Sequence, residues 1–405
     1  ALGLPAFAAP IRTLPDTEVT AASAEVDTIG GGDLGTTVLA SEDLDLYQTD
    51  TLAELSLITP NLSFSSSDTR GYGDVIAFRG VTNTLFFSNP AVGLYVDDVP
   101  FSNAFLYPDE LVRVEQVNVH RGPQGAFFGL NGPAGLMELT TLQPTERLQY
   151  GGSFEYGSDE HKALSVYSAG PLGGDFSHSF QFYARDRNGF INNTWKGQHT
   201  DYRSVVGGLG TIVWTPRDDV EIKLRFAAES VEDGSQRLSA LSSSPNPFTA
   251  AGKPFRVRSN VRGKNELDRY QLSLHGRKDF DWGTLKSITS FQSWDLGPQE
   301  TDLDLSPSQF PFSEANSLIN QDSDLWTQEF RIESPEGAGP LSWRGGLFYS
   351  NQEDSGDAAR VFPAFTQFGA FEIEETTDFD IDRETFAFFG SGSYAFDNGI
   401  TLEAG

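Results

Sequence analysis

From residue 147 onward the chain is written in β-prone runs of about ten residues, separated by connectors that are short and long by turns. The runs are 147–156, 162–170, 176–185, 203–215, 220–229, 268–279, 284–294, 325–333, 341–351, 384–396 and 399–404. After the second run the short connectors are Pro171 to Asp175, Pro216 to Asp219, Phe280 to Gly283, Ser334 to Pro340 and Asp397-Asn398. The long ones are Asp186 to Tyr202, Ser230 to Leu267, Asp295 to Asp324 and Gln352 to Arg383. A water-soluble sandwich has no reason to gather its long loops on one side. A barrel crossing a membrane has one, because one rim meets ligands and the other only turns the chain.

Side chains alternate within several runs. Val220, Ile222, Leu224 and Phe226 share one face while Glu221, Lys223 and Arg225 share the other. Tyr270, Leu272 and Leu274 oppose Gln271, Ser273 and His275, and Phe330 and Ile332 oppose Glu329, Arg331 and Glu333. Lipid outside and a wet lumen inside require this pattern. A half-buried soluble sheet alternates as cleanly, so alternation alone leaves both folds open. Trp214, Trp282, Trp326 and Trp343, near run ends, fit an interfacial girdle or a core.

Composition sets limits. No stretch approaches the roughly 20 consecutive apolar residues of a membrane helix, so a helical membrane protein is excluded. Cysteine is absent, which is compatible with export without requiring it. A formal net charge of −29 argues against nucleic acid as a partner, since phosphate binding needs a basic face. Acid concentrates in the last long connector, at Glu353, Asp354, Asp357, Glu372, Glu374, Glu375, Asp378, Asp380 and Asp382. That is read as a solvated loop, and no ligand spacing supports a cation site. His120, His161, His178, His199 and His275 are scattered away from metal-ligand spacing, and no phosphate-binding or dinucleotide turn is present. The chain is therefore expected to be neither an enzyme nor a cofactor or metal carrier.

Three phrases precede the runs. They are Ile76-Ala77-Phe78-Arg79-Gly80, then Gly93-Leu94-Tyr95-Val96-Asp97-Asp98-Val99-Pro100, then Val117-Asn118-Val119-His120-Arg121-Gly122-Pro123-Gln124-Gly125 leading to Phe128-Gly129 and Gly132-Pro133-Ala134-Gly135. Each joins a β-branched run to a Gly or Pro turn, as a short strand ending in a tight bend does. In that order they resemble the plug domain of TonB-dependent outer-membrane receptors. The resemblance implies a mainly β chain: a small α+β plug followed by about half of a 22-stranded antiparallel transmembrane barrel, truncated and open.

Four segments follow from this reading. Residues 1–9 resemble the end of a secretory signal peptide, with Ala6-Phe7-Ala8 as its small-x-small site. Residues 10–40 read as a flexible arm, in which Asp16-Thr17-Glu18-Val19-Thr20-Ala21 resembles the TonB box that adds a strand to a TonB-like periplasmic energy-coupling protein. Residues 41–144 are the plug, with short helices expected at Thr51 to Leu55, capped by Asp50, and at Pro108 to Val112. Residues 145–405 are the partial barrel.

The resemblance further implies a lock, in which Arg79 and Arg121 pair with inward glutamates of the wall, Glu329 in the phrase Gln328-Glu329-Phe330-Arg331-Ile332 being one. The implied activity is TonB-dependent uptake of a scarce small molecule, a ferric siderophore first, with haem, cobalamin or an oligosaccharide as other cargoes. Outer-membrane lipid is the implied surroundings. A passive porin and a surface or soluble β-rich binding module are the readings from other classes; the first would lack the plug phrases and arm, the second would express without detergent. The Phe-rich stretch 362–368 is read as packing among loops rather than as a cradle for an aromatic ligand.

Overall fold

The computed structural model describes residues 35–66, 74–82, 90–104, 107–108, 110–130, 132–235, 254–303, 305–307, 315–335, 337, 339–366 and 369–405. The expected signal remnant, the TonB-box-like stretch Asp16 to Ala21 and most of the expected arm lie outside the described residues, as do the side chains of 362–370 and 372.

The plug opens with β1 (Thr36–Ala40), α1 (Ser41–Tyr47), α2 (Leu52–Ile58), β2 (Leu62–Ser66), β3 (Asp74–Phe78) and β4 (Val81–Thr82). It continues with β5 (Val92–Val96), β6 (Val99–Phe101), β7 (Val114–Arg121) and β8 (Gly135–Thr141). A five-stranded sheet has the order β1-β7-β8-β5-β6, parallel only between β5 and β8, and β2-β3-β4 form a second small sheet. The end of the expected arm is thus a paired edge strand, Thr36 opposite His120. The second helix is capped by Thr51 instead of Asp50: Thr51 Oγ1 accepts from the Glu54 N–H at 3.3 Å while the Glu54 carboxylate accepts from the Thr51 N–H at 3.0 Å. No helix forms at 108–112 among the described residues; Glu110 instead bridges to Thr51. In the third phrase, a Cβ on Gly132 would lie 2.3 Å from the Gly93 nitrogen and 2.5 Å from the Gly135 oxygen, so only glycine lets this turn press on β5.

The wall comprises β9 (Gln149–Tyr156), β10 (Lys162–Gly173), β11 (Phe176–Arg187), β14 (Arg203–Arg217), β15 (Val220–Asp233), β17 (Lys264–Phe280), β18 (Gly283–Asp302), β19 (Asn316–Glu333), β20 (Leu341–Thr366), β21 (Gly369–Ala395) and β22 (Thr401–Ala404). Eleven strands meander in chain order, each antiparallel to the next, as the runs predicted. In the loops at the long-connector rim, β12 (Asn192–Asn193), β13 (Gln198–His199) and β16 (Arg256–Val257) make a further small sheet.

Register shows what each face meets. Phe180, Gly210, Phe226, Leu272, Phe291 and Trp326 stand side by side across six strands. Every one of them but the glycine is 40–51 % exposed. A large apolar side chain left in water forgoes about 1.5–3 kcal/mol of burial, so this row marks the face turned to lipid. One residue along, the row Ser179, Thr211, Arg225, Ser273, Ser290, Thr327 and Ser350 points the other way and is buried. Apart from the arginine these are short polar side chains, which let the plug come close. Leu55, Leu94, Val117, Val119 and Met137 of the plug share one core with Val205, Val231, Leu267, Trp294 and Leu296 of the wall. Stacked pairs Phe176–Trp214, Phe280–Trp282 and Trp282–Trp343 line the short-turn rim, as an interfacial girdle does.

A further expectation is overturned. The stretch 352–383 is a tall hairpin, not a loop: β20 and β21 pair without interruption from Leu341↔Tyr394 to Thr366↔Gly369. Likewise β18 and β19 extend to Asp302 and Asn316. Beyond the lipid both faces of a strand are wet, so hydrophobic alternation ends there while the backbone ladder continues.

Candidate functional site

The site lies where the plug meets the inner face of the wall. Strands β5 and β6 are joined by Asp97 and Asp98 at φ 48° and 66°, the left-handed pair a two-residue hairpin turn requires. Asp97 accepts four donors: the Thr141 N–H at 2.9 Å, the Thr141 hydroxyl at 2.5 Å, Gln143 Nε2 at 3.0 Å and Arg225 Nη2 at 2.8 Å. Arg225, on β15, is 2 % exposed and also donates to the Val96 carbonyl at 3.3 Å. Asp98 meets Arg331 Nη1 of β19 at 3.1 Å, and Arg331 in turn holds Glu329 at 2.6 Å. Burial works to raise the Asp98 pKa, but the Arg331 guanidinium and Lys286 outweigh it and hold the carboxyl well below the usual carboxylate range. Gln292 Nε2 adds a bond to the Pro100 carbonyl at 2.7 Å. The hairpin tip is therefore tied to β15, β18 and β19 together.

A second tie sits toward the long-loop rim. Glu110 of the plug meets Arg185 Nη1 of β11 at 2.8 Å and Arg203 of β14 at 3.3 Å, and Arg203 also holds Asp233 at 2.7 Å. Arg269 of β17 donates to the Tyr107 carbonyl at 2.6 Å and pairs with Glu229, which Tyr183 also contacts. Between the ties lies a cavity of about 100 Å³ whose lining includes Val96, Phe101, Leu139, Leu209, Ala227 and Trp294. Removing one partner of a buried ion pair strands the other charge, at about 3–5 kcal/mol. The ties can hold a plug at rest.

The residues expected to form the lock are placed differently. Glu329 is buried on the inner face, as its parity required, but its cation is Arg331, its neighbour on the same strand. Arg121 stays inside the plug, donating from Nε to the Pro60 carbonyl at 2.9 Å, from Nη1 to the Gly35 carbonyl at 3.1 Å and from Nη2 to Thr37 Oγ1 at 2.6 Å. Burial and the nearby Arg79 guanidinium lower its pKa. Arg79 is exposed in the turn after β3, its N–H on the Asn61 carbonyl at 3.1 Å. The structure brings Arg79 and Arg121 near each other and neither to Glu329. In the observed ties the plug supplies the acids and the wall the arginines. Two signals pointed to them: the Asp97-Asp98 pair inside the second phrase, and the inward parity of Arg225 and Arg331. Among the described residues no cluster of three or more His, Asp or Glu side chains is arranged to hold a metal.

Residues 33–136 match the family model of the TonB-dependent Receptor Plug Domain. Those residues are a TonB-dependent receptor plug, and the sheet that follows has the fold of part of such a receptor's barrel. It is 31 % identical over 127 residues to the pesticin receptor of Yersinia enterocolitica, a match covering 31 % of this chain and 19 % of that protein. It is 23 % identical over 265 residues to the vitamin B12 transporter BtuB of Vibrio vulnificus, covering 64 % of this chain and 40 % of that one. In fold it is similar to the ferric yersiniabactin uptake receptor FyuA of Yersinia pestis, with a TM-score of 0.70 at 17 % identity over 90 % of this chain and 62 % of FyuA. BauA, the ferric preacinetobactin receptor of Acinetobacter baumannii, gives 0.70 at 15 % identity over 91 % of this chain and 56 % of BauA. The chain thus spans less than two thirds of each of these relatives. TonB-dependent receptors are non-enzymatic proteins of the outer membrane, and the chain belongs to that compartment.

Proposed function

We propose that the chain acts in TonB-driven uptake of a scarce small molecule across the outer membrane, with a ferric siderophore as the leading cargo. The observation that carries this reading is a folded plug tied by the buried pairs Asp97–Arg225 and Glu110–Arg185 to the inner face of a lipid-facing wall. A passive porin has no use for such a body. A soluble binding module has no use for a row of exposed rings. The outer membrane holds neither ATP nor a sustained ion gradient, so work on the ties must arrive from the periplasmic side. In this proposal a TonB-like protein pairs with Asp16 to Ala21 and pulls the arm of residues 10–40, residues 41–144 rearrange as the plug, and residues 145–405 stay as wall. Arg121 would feel that pull first, since it bonds the Gly35 carbonyl and the Thr37 hydroxyl at the junction of arm and plug. Residues 1–9 are taken as a signal remnant.

The siderophore reading draws support from the yersiniabactin and preacinetobactin receptors among the structural neighbours. Haem, cobalamin and oligosaccharide remain the other cargoes, cobalamin being favoured among them by the BtuB match. Deleting Asp16 to Ala21 from the full-length receptor is expected to abolish concentrative uptake of radiolabelled ligand while leaving binding to whole cells intact. Persistent uptake would overturn the energy-coupling role of this segment.

A further inference from the structure

Two arginines of the wall differ from the rest in what answers them. Arg203 pairs with Asp233 at 2.7 Å, Arg331 with Glu329 at 2.6 Å and Arg269 with Glu229, so each keeps a wall carboxylate wherever the plug stands. Among the described residues Arg185 and Arg225 have ion pairs with the plug alone: Arg185 with Glu110 at 2.8 Å and Asp50 at 3.6 Å, Arg225 with Asp97 at 2.8 Å. Wall acids around them are taken or set apart. Glu229, two inward positions beyond Arg225, is held by Arg269 and Tyr183, and Glu221, two inward positions before it, has Lys223 in between. Glu155 shares the register row of Arg185 but stands two strands off, about 10 Å away, and faces His161 at 3.8 Å. The two pairs also bound one seam. By register Arg185 is level with Val231, six residues or about 20 Å along β15 from Arg225. The cavity of about 100 Å³ between plug and wall touches Glu110 and Arg225, with Leu209, Ala227 and Trp294 on its wall side and Val96, Phe101 and Leu139 on its plug side.

We propose that this seam is the passage for an anionic cargo with an apolar body, and that Arg185 and then Arg225 take its charge in place of Glu110 and Asp97. The proposal rests on the uptake reading above and names the chemical class of the cargo. A guanidinium stays charged throughout, so withdrawing its carboxylate leaves a buried cation that the next oxyanion to arrive neutralises. Its planar fork suits a carboxylate or a similar oxyanion, which it binds through two parallel bonds. The apolar lining between the two arginines receives the uncharged part of the cargo. At rest the plug carboxylates hold the cargo's place and keep the seam shut. A cationic cargo is repelled, and a neutral one leaves both guanidinium groups unanswered.

The test is the current carried by the full-length receptor in phosphatidylcholine bilayers under a KCl gradient, with no TonB-like protein present. The D97N/E110Q variant removes the plug's charge from both pairs and should open a steady conductance where the wild type stays closed. Adding R185Q and R225Q should lower the chloride-to-potassium permeability ratio, read from the reversal potential, by about threefold or more. Adding R185K and R225K instead keeps the charge and should hold the ratio within about twofold, which separates lost selectivity from lost folding. Benzoate, an oxyanion on an apolar body, should block the D97N/E110Q current at concentrations where benzyl alcohol does not. Arginines that serve only as anchors predict an unchanged ratio in the quadruple glutamine variant, and that result would overturn the proposal. So would equal block by the two probes, or no current in D97N/E110Q, since the two pairs would then not be what closes the seam. None of these outcomes involves energy coupling, so a negative result leaves the uptake reading to the deletion of Asp16 to Ala21.

Discussion

At the residue scale the account turns on Asp97, Asp98 and the arginines that answer them. Asp97→Ala strands Arg225 at 2 % exposure, and the expected loss in plug stability is about 3–5 kcal/mol, read as the shift in urea midpoint of plug release by limited proteolysis. Combining D97A with Arg225→Met should recover much of that loss, since no buried charge is then left alone; a double variant as weak as the sum of the singles would contradict the pairing. For Asp98 the sign is fixed by a folded pKa below the unfolded one. Its contribution is present in full above about pH 4, the unfolded carboxylate range, and is lost only as pH falls further through the folded value. The Asp98 contribution to plug protection should therefore be constant from pH 7 to 5, so the difference between wild type and D98N should not change over that range and should shrink at lower pH. Sequence exposed these residues unevenly. The second phrase displayed Asp97 and Asp98, and parity put Arg225 and Arg331 on the inner face, yet the pairing itself joins residues more than a hundred positions apart. Arg79 and Arg121 drew the eye because each ends a strand beside glycine. What settled their place was distance: Arg121 reaches Pro60 of the plug and Gly35 and Thr37 at the end of the arm before it could reach the wall.

At the scale of elements the wall was legible where lipid disciplines the pattern and obscure above it. In β15 and β17 alternation named the strands, and their observed pairing, such as Phe226↔Leu272, follows it. In β20 and β21 most acidic side chains stand on the face turned away from the plug, with Glu353 opposite Asp382 and Asp357 opposite Asp378, so composition looked like a solvated loop. Backbone hydrogen bonds hold that hairpin in spite of its charge. Like charges directly across a ladder are destabilising, so Glu353→Lys, which creates an opposite-charge pair with Asp382, should stabilise the hairpin by about 0.2–1 kcal/mol. Hydrogen exchange on residues 353–361 and 374–382 reads this directly: slowed exchange is expected in wild type, and slower still in the variant. Exchange at the rate of free peptide would return the stretch to a loop. The short helices show the same limit: Thr51 and Asp50 are both good caps, and the choice fell to Thr51 because Glu54 stands at the third helical position to complete the box.

At the scale of the whole molecule, one face of an eleven-stranded wall carries exposed rings and the other carries short polar side chains, with a folded domain against the latter. That arrangement makes sense only with lipid on one side and the plug on the other. These 405 residues contain no cysteine, so an introduced pair is the only pair among them. Asp98→Cys with Arg331→Cys places one thiol on the hairpin tip and the other on β19, at the sites of a 3.1 Å contact. The decisive measurement is reaction of this double variant, in isolated outer membranes, with a short thiol-specific cross-linker, followed by proteolytic cleavage between plug and wall. The account predicts that plug and wall fragments remain joined in a single cross-linked species. Two fragments that separate, although each single-cysteine variant takes up the reagent, would contradict it.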